Sequence, residues 1–586
     1  MILQALTEYY EVLQKQGKAA APGWGPVKVS YTLYLGEGGT LERVASIQIE
    51  QQRGKKTVPA PQIMSLPAPE KRTVGAVSNF LCDNSSYMLG VDGKGRPQRA
   101  LECFAACKAL HEKVLSDVDT PAARAVLAFF QSWQPEAAPE HPALAEYWED
   151  ILSGANLIFR YDGGFVHDDP AIRRAWERHY GGSGDDGGTE MVCLVTGEKG
   201  PVENTHPSVK GVQGAQSSGA ALVSFNAPAF CSYGREQNRN APTSKAAAFA
   251  YTTALNYLLS DREHVYRMGD ATVVFWAKSG EAAYQSTFGS LFSDTYEESD
   301  LRNVIAELCK GHKAEYDEAM LDPDMDFYVL GLSPNAARLS VRFFLRNSFG
   351  GFLQNIQAHR ERLRIVRPAY AKFEVPSLKA LLDATVNQNS RNKDASPELA
   401  GEMLRAVLNN TPYPATLLNG VTLRIRAEQR DKEHPERPFK ITWERAAILK
   451  AYYSKNPNKN VPKEVLTVSL NEASTSIPYT LGRLFSVLEE IQQKANPGIN
   501  STIKDKYFNS ASATPAVVFP TLVNLAQKHL KKLEAGWRIS YEKKLQGITD
   551  KLGEEYPARL TLPQQGAFQL GYYHQTQARY EKKEEK

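Results

Sequence analysis

The sequence is short of the residues that build cofactor and metal chemistry. Across 586 residues it has six cysteines (Cys82, Cys103, Cys107, Cys193, Cys231, Cys309) and no Cys-x-x-Cys pair. That removes the sequence grounds for a disulfide scaffold or a cysteine zinc ribbon. Cys103 and Cys107 lie one helical turn apart in an apolar stretch, the placement of reduced core thiols. The 11 histidines contain no His-Glu-x-x-His and no tight cluster, so nothing marks a zinc hydrolase. No apolar run approaches the roughly 18 residues that span a bilayer. Residues 1–14 read as an amphipathic helix with Glu8 and Glu11 and no basic flank, unlike a signal peptide. These absences lead to the expectation of a soluble cytoplasmic protein with no membrane partner.

What is present is an ordinary globular composition, 42% hydrophobic and 23% charged, enough for a large core. The length suits three to five folding units at roughly 100 to 200 residues each. Lys and Arg number 69 against 66 Asp and Glu, but the distribution is uneven: residues 401–586 hold 28 against 19, a net +9. A basic C-terminal third suits a polyanion, although a solvated helix surface gives the same count.

Periodicity predicts a mixed α+β body with β-hairpins, followed by a C-terminal helical bundle. Alternation predicts strands at 27–35 and 44–49, and the proline-rich 51–70 reads as a loop. Helices follow at 99–115, 121–133 and 142–152. Short β-rich runs occur at 157–161, 191–195, 220–225, 271–277, 327–332 and 339–345, the last two flanking Ser333-Pro334-Asn335 as a turn. A lone strand is expected at 421–426. One long helix is expected from Pro515 or Thr521 to Ile548, with Leu522, Leu525, Leu530, Leu533, Trp537, Tyr541, Leu545 and Ile548 on one stripe. The expected division is 1–155, 156–370, 371–464 and 465–586.

Catalytic motifs fail in instructive ways. Gly182-Ser183-Gly184-Asp185-Asp186-Gly187 matches Gly-x-Gly-x-x-Gly, but its acidic pair would repel a pyrophosphate and a strand follows where a helix is needed. Gly214 to Gly219 has the outline of a phosphate loop, with Ala220 and Ala221 where Lys and Ser/Thr belong. Asp162, His167, Asp168 and His206 are the residues a metal-dependent nuclease would use, yet Asp168-Asp169-Pro170 also reads as a helix cap. No cofactor is implied. The unusual segments are polar, glycine-punctuated and amide-rich: 71–90, 210–219 and 225–242. Asn and Gln suit base edges, and Gly admits a close backbone approach; turns and buried amide networks use the same residues.

In these segments the sequence resembles the large subunit of the type I-C CRISPR Cascade, the Csd1 type. The matching residues include Met1 to Leu6 with Tyr9-Tyr10, Arg72-Thr73, Asn79 to Asn84, and Phe165 to Asp169. Further matches are Cys193 to Gly197, His206-Pro207, Gly211 to Asn226, Thr272 to Trp276, and Leu330 to Asn335. The resemblance implies a non-enzymatic subunit whose N-terminal domain reads the protospacer-adjacent motif on double-stranded target DNA and helps open it. Its C-terminal bundle, similar to the complex's small subunit, would contact the displaced single strand. The implied partners are the crRNA-containing Cascade, with its backbone subunits, crRNA-processing subunit and small subunits, and a recruited helicase-nuclease. In that family an internal translation start yields the small subunit; the last methionine here is Met403, so a start near Val465 or Val468 would need a non-ATG codon.

The candidate motif-reading residues are then Lys71, Arg72, Thr73, Asn79, Asn84 and Ser85. A second loop, for duplex wedging or partner docking, offers Lys210, Gln213, Gln216, Ser217 and Asn226. Lys528, Lys531, Lys532, Arg538, Lys543 and Lys544 are the candidates for the displaced strand. The competing functions are the nuclease above and a purely structural assembly subunit, in which 72–90 and 210–240 are protein interfaces.

Overall fold

A computed structural model describes residues 1–53, 56–69, 75–181, 190–261, 265–291, 299–387, 390, 394–430 and 439–580. Its composition, 49% helix and 17% strand with hairpins early and helices late, is the expected α+β mixture. The chain forms two compact units, Met1–Val209 with Ala221–Tyr257, and Lys210–Ala220 with Leu258–Lys586. The short 210–220 segment thus belongs with the C-terminal unit.

The first unit is built on a sheet in the order Leu41–Ser46, Tyr31–Leu35, Leu157–Tyr161, Cys82–Asp83. The central pair, Tyr31–Leu35 with Leu157–Tyr161, is parallel. Tyr31, Thr32, Leu33 and Leu35 are all buried, so this strand is covered on both faces and loses the simple alternation of a surface strand. The helix Pro121–Ser132 starts where Thr120 Oγ1 accepts the Ala123 N–H at 3.3 Å and Pro121 fills the first turn. It delivers Phe129 and Phe130 into an aromatic core with Phe159 and Phe104. Phe80 stacks on Trp176 at 5.2 Å and 11°.

The described residues of 51–70 are mostly strand rather than the expected loop. The segment supplies Ile49–Arg53, Lys56–Ala60 and Gln62–Pro67, the first two paired as a hairpin and the third paired with Trp24–Val29. Both sheets are two-stranded, so each strand keeps an unpaired edge and Pro59 and Pro67 remove no essential donor. The expected strand at 220–225 is absent: it holds bridge and bend geometry instead.

The second unit opens with an antiparallel sheet in the order Val265–Met268, Ala271–Ala277, Asp326–Asn335, Arg338–Ser348. Ser333, Pro334 and Asn335 continue the strand, and the turn falls one step later, with Asn335 paired to Arg338 and Ala336 at φ +52°. Helices Ala282–Ser290, Ser299–Cys309 and Phe349–Leu363 help cover the sheet through Phe288, Ile305 and Phe352.

Strands then give way to helices. Residues 421–426 lie inside the helix Ala415–Ala427, because Val421, Thr422 and Ile425 form a buried helical face as readily as an alternating strand. The expected long C-terminal helix is two, Pro515–Leu530 and Ala535–Thr549, parted at 531–534. The apolar stripe continues across the break except at Trp537, which is 48% exposed while Leu522, Leu530, Tyr541 and Ile548 are buried. At the bundle centre, Ile477–Ala495 runs against Leu562–Gln577.

Candidate nucleic-acid interface

Lys71, Arg72 and Thr73 lie outside the described residues, as do Gly182 to Gly187. The rest of the first candidate region is a turn fixed from several sides. Leu81, at φ +57°, donates its N–H to His111 Nε2 at 3.0 Å, and His111 Nδ1 lies 2.8 Å from the Cys107 carbonyl. The ring therefore holds its proton on Nδ1 and is neutral, since burial pulls its pKa down to about 4.

Asp83, fully buried, accepts the Asn79 N–H at 3.1 Å and the Asn84 N–H at 2.9 Å. Asn84 Oδ1 accepts the Ser86 N–H at 3.1 Å and caps the short helix Ser85–Met88, in which Ser85 is buried. Asn84 thus uses its carbonyl locally, and Asn79 is half-buried. The strained Leu81 backbone and the buried aspartate set the path of the chain that follows 71–74.

The 210–219 loop is rigid for other reasons. Gly211, Gly214 and Gly219 all take positive φ, at +93°, +76° and +98°. A Cβ at Gly214 would crowd Pro334, and one at Gly211 would press on the Leu259 backbone, so only glycine fits these two approaches. The Gln213 N–H donates to the buried Thr272 hydroxyl at 3.0 Å, which ties the loop to the sheet. Gln213, Gln216 and Ser217 remain exposed, as does Lys210. Asn226, also exposed, belongs to the first unit.

The C-terminal cations fall into two groups. Lys532 Nζ donates to Asn496 Oδ1 at 3.0 Å, and Lys544 pairs with Glu490 at 3.3 Å. Lys528, Lys531, Arg538 and Lys543 are exposed and carry no carboxylate partner among the described residues. Sequence reading missed Lys494, which lies in the last turn of Ile477–Ala495 with its ammonium 4.1 Å above the Trp537 ring centre. Nothing in the local pattern signals a contact made across 43 residues.

Of the nuclease residues, His167 Nε2 lies 3.9 Å from Asp168 Oδ1, and no third ligand completes a metal site with them among the described residues. Asp169 Oδ1 accepts the Ala171 and Ile172 N–H groups at 2.8 and 3.2 Å, which makes it the helix cap. His167 is buried in the preceding 3-10 turn, and the neutral His206 faces the Tyr251 hydroxyl at 2.5 Å. Among the described residues no three His, Cys, Asp or Glu side chains converge as metal ligands. All six cysteines are free, four of them buried. No described helix is long and apolar enough to cross a membrane.

No curated protein matches the chain. A family model described as CRISPR-associated protein (Cas_Csd1) matches residues 6–580. With nearly the whole chain covered, this protein belongs to the Csd1 family of CRISPR-associated proteins, which implies a Cascade-type complex with other Cas proteins.

Proposed function

We propose that the chain is the non-catalytic large subunit of a type I-C RNA-guided surveillance complex, reading the protospacer-adjacent motif, helping to open the duplex and holding the displaced strand. The observation that carries this reading is the cationic surface of Pro515–Leu530, Ala535–Thr549 and the 531–534 connector, where Lys528, Lys531, Arg538 and Lys543 face solvent without carboxylate partners among the described residues. Cations left unneutralised at a surface favour a polyanion, and a single strand follows such a groove through its phosphates.

Motif reading falls to two regions in this account. In the first, Lys71 and Arg72 are assigned to phosphates or purine edges, and Asn79 and Asn84, on the turn at 79–85, to base edges. The 210–219 loop offers Gln213 and Gln216 on a backbone that cannot relax, which suits wedging into a duplex or docking a partner subunit. Base pairing with the guide supplies the remaining specificity. The partners are the crRNA-bearing backbone, the crRNA-processing and small subunits, and a helicase-nuclease that acts once the R-loop has formed.

The test is charge reversal of Lys528, Lys531, Arg538 and Lys543 in the assembled complex. Each single-strand phosphate contact contributes about 0.7 to the slope of log affinity on log salt, so the slope should shrink by roughly 3. An unchanged slope with unchanged protection of the displaced strand refutes the reading.

A further inference from the structure

The indole of Trp537 breaks the rule its own stripe follows. It sits on the apolar face that buries Tyr541 and Ile548, yet it remains 48% exposed. The neighbouring Gly536 is also at the open surface, where an added Cβ would meet nothing within 4 Å. The ring is nevertheless held in place. Tyr541 lies against it at 6.2 Å and 28°, and the Tyr541 hydroxyl is fixed by Glu490 Oε1 at 3.2 Å. Lys494 covers it with an ammonium at 4.1 Å.

The chain leading into this helix is fixed as well. Asn496 bridges Lys532, at 3.0 Å, and His529 Nδ1, at 3.2 Å, so the 531–534 break is tied to the end of Ile477–Ala495. The surroundings are strongly basic: residues 528–544 hold Lys528, Lys531, Lys532, Arg538, Lys543 and Lys544 against Glu534 and Glu542. Glu490, the nearest carboxylate of the facing helix, is already engaged by Lys544 at 3.3 Å and Arg579 at 3.1 Å.

We infer that Trp537 is a stacking platform for one base of a single-stranded nucleic acid, with Lys494, Lys532 and Arg538 holding the adjoining phosphates. An exposed aromatic packed against Tyr541, with one cation over its ring and others near it in sequence, suits this ligand because every base offers a π-face, so the contact tolerates any sequence. The Lys494 ammonium sits over the ring in the free protein. When a base stacks, it shifts to the neighbouring phosphate. A protein partner fits less well, since docking would bury the same cations with few carboxylates at hand to pair them. The inference rests on the displaced-strand reading above and assigns one residue a role that charge alone does not give.

The experiment uses the full complex on a matched duplex carrying 2-aminopurine at successive positions of the displaced strand. Quenching is expected at one or two adjacent positions, retained in Trp537→Phe and lost in Trp537→Leu. Affinity for the displaced strand should fall roughly 5- to 100-fold in Trp537→Leu with the salt slope unchanged. Near-ultraviolet circular dichroism and the melting midpoint show whether both variants fold. Quenching that survives in Trp537→Leu overturns the inference, as does a Trp537→Leu complex that fails to assemble while Trp537→Phe assembles. If the four-cation variant lowers the salt slope and Trp537→Leu changes nothing, the strand is held without stacking. If neither variant has any effect, the displaced-strand reading fails with it.

Discussion

Gly482 lies so close to the Phe568 carbonyl that a Cβ on this glycine would overlap the oxygen. Gly571 stands in the same relation to the carbonyl of Tyr479, so the two central helices of the bundle meet backbone to backbone through a reciprocal pair of glycines. Tyr572, on the same helix as Gly571, donates its hydroxyl to the buried Glu489 at 2.6 Å, and burial beside that carboxylate holds the phenol well above its ordinary pKa.

Gly482→Ala should therefore destabilise the C-terminal bundle by about 1 to 3 kcal/mol or more, since the new methyl group meets backbone that cannot step aside. Gly553→Ala, at a position where a Cβ meets nothing, is the control and should change little. Chemical unfolding followed by circular dichroism compares the two. Equal midpoints would show that the helices are not locked at this crossing.

Acid should weaken both units through buried histidines. Burial holds His111 at about 4, and His359 and His574 at about 3, against 6.5 for the ordinary side chain. Arg362 and Arg360 add to the shift of His359, and Lys450 to that of His574. In each case the unfolded chain binds the proton more readily than the folded one. The stability these groups contribute is complete above pH 6.5 and is lost as pH falls toward 4 for His111 and toward 3 for His359 and His574, with a limit of about 3 kcal/mol for His111. Urea midpoints should drop between pH 7 and pH 5, and His111→Gln should flatten part of that slope while lowering stability at pH 7. A wild-type midpoint that does not change over this range would contradict the neutral, buried assignment.

Asn84 can be tested separately as cap and as reader. Asn84→Ala should lower the stability of the first unit by about 1 kcal/mol through loss of the bond to the Ser86 N–H. Asn84→Ser keeps a capping oxygen and removes the amide, so it should retain most of the stability yet flatten discrimination between flanking sequences. If Asn84→Ser discriminates as well as the wild type, the residue is a cap and nothing more.

The legible parts of the sequence were those where one period dominates over a long run. Buried strands such as Ala271–Ala277, the amphipathic N-terminal helix and the helices after 97 follow directly from such runs. Misreadings arose where local chemistry admits two answers. Pro59 and Pro67 argue against a central strand, but in two-stranded ribbons they sit harmlessly at an edge. The run Val421 to Arg426 alternates like a strand, yet its apolar residues also share a helix face. The stripe from Leu522 to Ile548 concealed a break, because connector residues 531–534 keep its spacing.

The candidate site was legible as composition and less so as geometry. The excess of positive charge, the glycines of 211–219 and the cap at Asp169 are all visible in sequence. Lys494 over Trp537, and the tether from Gln213 to Thr272, are long-range contacts with no local signal.

Motif reading is tested most directly by binding of the assembled guide complex to matched duplexes that differ only in the few base pairs flanking the target, at one fixed salt concentration. It predicts a strong flank preference that is flattened by Asn79→Ala, Arg72→Ala or the pair Gln213→Ala with Gln216→Ala, each good base contact being worth about 1 to 3 kcal/mol. Equal binding to every flank, or a uniform loss across all flanks in these variants, would contradict motif reading by this chain and leave it a scaffold.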